Sequence, residues 1–148
     1  MGELEGLVAK LLVTAHVLGG YAIPAVAPSV TMVPDEELAA AACTGGCQTS
    51  GRLNGLFLPG RGILLSERLA PLRNVRARAV LLHEMVHYLQ HLTGSFAGQR
   101  PCERYLLRER EAYGVENRYL ARFQEPPDHG WTFLAQNGGL ISCRDGQR

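Results

Sequence analysis

Residues 74–94 read Asn-Val-Arg-Ala-Arg-Ala-Val-Leu-Leu-His-Glu-Met-Val-His-Tyr-Leu-Gln-His-Leu-Thr-Gly, and this stretch decides the fold. Asn74 is a helix-capping residue and Gly94 a helix-terminating one, so the spacing predicts a helix to about Leu92. Val75, Ala79, Leu82, Val86 and Leu89 recur at helical intervals and form one apolar stripe, which Leu81, Met85 and Leu92 widen. A stripe that broad belongs on a core-facing helix. At its edge lie His83 and His87, with Glu84 between them.

Outward from this helix the chain alternates between types of element. Upstream, Leu53 to Leu58 and Gly62 to Leu65 read as two strands around the turn Pro59-Gly60-Arg61. Further back, Pro34-Asp35-Glu36-Glu37 opens a short helix through Ala42, with acidic residues at its positive end. Ser29 to Val33 is a β-branched run, and Glu3 to Leu18 a helix that stops at Gly19-Gly20. Downstream, Pro101 starts a helix running to about Gln124, ahead of Pro126-Pro127. The tail holds Trp131 to Leu134, a Gly138-Gly139 turn and Leu140 to Cys143. The order gives an α+β class with a small antiparallel sheet packed on two long helices. The 148 residues suit a single domain, 1–148, with neither repeat nor linker.

A net charge of +1 gives no reason to expect a nucleic acid or an acidic membrane as partner. No run approaches the ~18–20 apolar residues of a membrane span. Glu3 and Glu5 stand where an export signal would carry positive charge, so the first segment reads as a mature-protein helix. Cys43, Cys47, Cys102 and Cys143 are an even set. The preferred reading is at least one disulfide in an exported or periplasmic protein, involving Cys102 with Cys143 or Cys47.

The sequence His83-Glu84-Met85-Val86-His87 carries chemistry. Residues four apart lie on one helix face about 6 Å apart, so two imidazoles can meet one zinc ion. Glu84 projects from the same turn, beside the place where a bound water would sit. The longer motif with a third histidine six residues on is excluded, because that position is Thr93. His91 is one turn beyond His87 but drifts off the ligand face, and reads as a polar neighbour. The third ligand is then a glutamate of the following helix. Glu109, Glu111 and Glu116 are available, and the helical wheel leaves Glu109 and Glu111 both able to turn inward.

Leu82 to Gln90, followed by Glu109-Arg110-Glu111-Ala112-Tyr113, resembles the minimal gluzincin metallopeptidases over residues 53 to 122. That resemblance implies zinc held by His83, His87 and Glu111, the glutamate directly before the small residue Ala112. It implies Glu84 as general base in peptide-bond hydrolysis, with a peptide or protein as substrate. It also implies a strand that pairs with extended substrate, for which Gly62 to Leu65 is placed. An assisting electrophile is expected among Tyr88, Tyr113, Tyr119 and His129. The alternative is a zinc-holding interaction module that cleaves nothing, against which Glu84 argues, because a pure binding site has no need of a base.

Overall fold

The computed structural model describes residues 2–43 and 53–132. Its elements there are α1 (Glu3–Gly19), β1 (Val30–Val33), α2 (Asp35–Ala42), β2 (Gly55–Leu58), β3 (Gly62–Ser66), α3 (Val75–Thr93) and α4 (Pro101–Arg122). The class is α+β, as the sequence predicts. The tail beyond residue 132 lies outside the described residues.

The sheet has the order β1-β3-β2 and is mixed. The predicted hairpin is present: β2 runs antiparallel to β3, with Gly55 opposite Leu65 and Phe57 opposite Ile63. Its turn needs positive φ, which Gly60 (84°) and Gly62 (89°) supply. The expected all-antiparallel sheet is corrected by β1, which pairs parallel to β3 with Val30 opposite Ile63 and Met32 opposite Leu65. The reason is connectivity. The chain from 34 to 61 carries α2 and β2, long enough for the crossover a parallel pair requires.

Strand β3 is central, and its alternation sorts the core. Ile63 and Leu65 point into the cluster formed with α1, α3 and α4. Leu64 points the other way, against Val33, Leu38 and Ala41. Asp35 ties the start of α2 to the end of β3: its Oδ1 accepts from Ser66 Oγ at 2.6 Å and its Oδ2 from Arg68 Nε at 2.7 Å.

Helix α3 begins where its cap demands, with Asn74 Oδ1 accepting from the Ala77 amide at 3.0 Å, and ends at Gly94 with φ of 66°. Ala79, Leu81, Leu82, Met85, Val86 and Leu89 are buried as the stripe predicts, whereas Leu92 is exposed, beyond the reach of the core. Its main packing partner is α4, which opens on Pro101. Cys43, capping α2, and Cys102, in the first turn of α4, are both disulfide-bonded. Cys47 and Cys143 lie outside the described residues. No helix among the described residues is long and apolar enough to cross a membrane.

Candidate metal centre

Buried polar residues are few and gathered. Apart from Ser66, those described are His83, Glu84, Gln90 and Glu116, and all four stand around one point between α3 and α4. Burying polar groups is costly unless they are satisfied, so their concentration at one place calls for a functional cause.

The two imidazoles meet at their Nε2 atoms, 3.2 Å apart. The Glu109 carboxylate closes the group. Its Oε1 is 3.3 Å from His83 Nε2 and its Oε2 2.5 Å from His87 Nε2. These three residues form the one set among the described residues whose donor atoms could hold a metal ion together. Ligand bonds of ~2.0–2.1 Å at tetrahedral angles place neighbouring ligand atoms about 3.3 Å apart. Two of the three separations match this, and the third needs Glu109 to withdraw by less than an ångström.

The opposite ring atoms are held too. His83 Nδ1 lies 2.8 Å from Glu116 Oε1, and His87 Nδ1 lies 2.8 Å from Gln90 Oε1. Both partners accept, so each Nδ1 carries a proton and each Nε2 is directed at the centre. Gln90 is itself fixed: its Nε2 donates to the Arg108 carbonyl at 3.0 Å and to Glu111 Oε1 at 3.3 Å. Supports of this kind orient metal-bound histidines and set their tautomer.

The structure does not bring Glu111, the expected third ligand, to the two histidines; it places Glu109 there, in a group that could hold a metal ion. Glu111 is at the flank of the interface and bonds Gln90. The inward face of α4 carries Leu106, Ala112, Glu116 and Leu120, and Glu109 falls on that stripe at helical spacing. Glu111 lies about 200° around the helix from Glu109. Ala112 allows the close approach of α4 to α3, but the carboxylate this admits is three residues before it. Glu116 turns inward as well, as a support for His83.

Burial and pairing compete at every group. Burial would lower both histidines, but bonds to Glu109, with Glu116 also bonding His83, leave both raised. Burial would raise Glu109, yet the two histidines hold it down at about 2. Glu116 is pushed up to about 7 by burial, with a bond to Asp128 adding to it and His83 opposing. Glu84 is raised by burial against the pull of His83 and His87. A backbone hydrogen bond from Phe57 on β2 reaches it, and a side chain at Gly55 would press on its Cγ at 3.0 Å.

Glu84, His87 and Glu109 open into a cleft of about 400 Å³. Leu53, Leu56, Phe57 and Pro59 form one wall, and Pro101, Arg104, Tyr105 and Arg108 of α4 the other. The predicted substrate strand is corrected here. Gly62 to Leu65 is paired on both sides, so it has no free edge, and β2 is the edge strand that borders the cleft. None of the four expected electrophiles lines it. Tyr88 bonds the Val26 carbonyl at 2.6 Å, and Tyr119 accepts from Arg78 Nε at 3.0 Å. Tyr113 packs edge-on against the His83 ring, and His129 is an exposed loop residue. Tyr105, one turn before Glu109, is the tyrosine that lines the cleft. Its phenol is raised by burial and by the charges of Glu109 and Glu84. His91 sits at the rim against Phe57, with ring centroids 5.7 Å apart, and outside the ligand group as expected. No family model, curated protein or solved structure matches this chain.

Proposed function

We propose that this protein is a zinc-dependent peptidase in which His83, His87 and Glu109 hold the ion and Glu84 is the general base. The observation that supports this best is the meeting of two oriented Nε2 atoms and a carboxylate beside a second carboxylate, that of Glu84, at the end of a cleft. Two imidazoles and one carboxylate are a common catalytic zinc set, which leaves one position for water. Zinc so held would polarise a carbonyl and bring the pKa of a water towards ~7.

The chain's own groups do the remainder. Glu84 takes the proton of the attacking water and returns it to the leaving amine. Its raised pKa suits that exchange, because a base works best when its pKa nears the working pH. The Tyr105 phenol, kept protonated, donates to the oxygen on which charge develops. The edge of β2 that has no partner strand among the described residues pairs with an extended peptide and fixes its scissile bond above Glu84.

The test is metal analysis followed by digestion of an unfolded protein such as casein. The expected result is one zinc per chain and, in Glu84→Gln, retained zinc with turnover reduced ~10²–10⁴-fold or more. A zinc-bound wild type that cleaves nothing in a broad peptide library would replace the peptidase reading with that of a zinc-holding interaction module.

A further inference from the structure

We propose that the cleft selects peptides bearing a carboxylate beside the scissile bond, and that Arg104 reads it. This rests on the peptidase reading for its substrate class, but the charge argument concerns the cleft itself.

Arg104 and Arg108 both line the cleft on its α4 wall. Arg108 is committed, its Nε and Nη2 donating to the Ser95 carbonyl at 3.1 and 3.0 Å. The Arg104 guanidinium makes no hydrogen bond or ion pair among the described residues. Other arginines of the molecule do: Arg100 with Glu103, Arg68 with Asp35, Arg61 with Glu37. The two cleft arginines are one helical turn apart, a spacing at which like charges repel. An anion between the β2 wall and α4 would relieve that repulsion.

The balance of charge across the cleft points the same way. Its acidic groups are Glu84 and Glu109, and a bound divalent cation would cancel both. What remains is the positive charge of the arginines facing an apolar wall of Leu53, Leu56, Phe57 and Pro59. A guanidinium binds a carboxylate through two parallel N–H bonds, and a partly dry cleft strengthens them. A substrate lysine or arginine at the same place would be repelled. The carboxylate has two possible sources, an Asp or Glu side chain or the free C-terminus of the peptide.

The experiment compares matched peptides carrying Glu, Gln or Lys at each position flanking the scissile bond, each with a free and an amidated C-terminus. Wild type, Arg104→Ala and Arg104→Glu are tested as full-length zinc-loaded protein. Cleavage is read as kcat/KM, and binding of the same peptides is measured on the Glu84→Gln background. Glu over Gln is expected to be favoured about tenfold to a hundredfold, the range of a charge-assisted bond. The ratio should fall towards one in Arg104→Ala and turn in favour of Lys in Arg104→Glu, with zinc content and melting temperature unchanged. If the preference follows the free C-terminus instead, the carboxylate read is the terminal one. A wild type without preference, or a preference that survives Arg104→Ala, overturns the proposal. Selective binding without any cleavage would sink the peptidase reading and leave the assignment of Arg104 standing.

Discussion

Replacing Glu109 by Gln, set against the same change at Glu111, tests the centre most directly. At Glu109 the amide keeps the shape and removes the charge that faces both Nε2 atoms, at 3.3 and 2.5 Å. A hydrogen bond to a charged group contributes about 1.5–3 kcal/mol, and these two share one carboxylate that is 14% exposed. Together they set the loss in the metal-free protein at about 3 kcal/mol. For a chain of 148 residues that is a fall in melting temperature of about 6–12 °C. Zinc affinity should drop further than the ~10–100-fold typical of losing a supporting residue, because here a ligand itself is lost. Glu111→Gln disturbs one 3.3 Å bond from Gln90 at the flank of the interface, so its cost should stay below about 1 kcal/mol with zinc retained. The assay is a pair of melts, with chelator and with zinc, alongside chelator competition for affinity. If Glu111→Gln loses zinc and Glu109→Gln keeps it, the inward stripe of α4 has been misassigned.

Three other outcomes are expected. Gln90→Leu removes the acceptor of the His87 Nδ1 proton and the donor to the Arg108 carbonyl, so zinc affinity should fall ~10–100-fold by chelator competition, and an unchanged affinity would deny Gln90 its orienting role. Tyr105→Phe should lower kcat while leaving KM and zinc content nearly as they were, and a change in KM alone would make Tyr105 a binding residue. Zinc affinity should climb with pH through and beyond the ordinary imidazole value of 6.5, because raised histidines must first release protons, and calorimetry in buffers of different ionisation heat would read that release. The metal-free protein runs the other way: raised histidines stabilise it below 6.5 and lose that contribution as pH rises through their folded values, while Glu109 contributes above the ordinary carboxylate range and loses it as pH falls towards about 2.

What the sequence made legible was local. The Asn74 cap, the Gly94 stop, the Gly60 turn and the i, i+4 histidines each depend on residues a few positions apart, and each stands where it was expected. The misses all needed a partner distant in sequence. The parallel pairing of β1 with β3 depends on where a crossover returns, which no local pattern records. Tyr105 faces the cleft because α4 crosses α3 at one particular rotation, and Gln90 supports His87 because Arg108 lies behind it. The choice between Glu109 and Glu111 needed the same information, since the helical wheel leaves both able to turn inward. Packing of α4 on α3 buries Leu106, Ala112, Glu116 and Leu120, and that face carries Glu109 rather than Glu111 to the histidines.

The centre is an interhelical contact, and its precision follows from that. Helix α3 alone fixes the spacing of His83 and His87, but the direction of each ring is set from other positions, by Glu116 on α4 and by Gln90 braced on the α4 backbone. The third carboxylate also comes from α4. One rigid-body relation between two helices therefore determines the third carboxylate of the candidate centre, both tautomers and the wall that carries Arg104 and Tyr105. That relation is held by residues with almost no freedom to shift, Ala112 and Val115 on α4 and Leu82, Val86 and Leu89 on α3, all buried in the same cluster. A small chain with few residues for a separate groove can thus obtain both a candidate metal-ligand set and a cleft from one packed pair of helices and the edge strand above them.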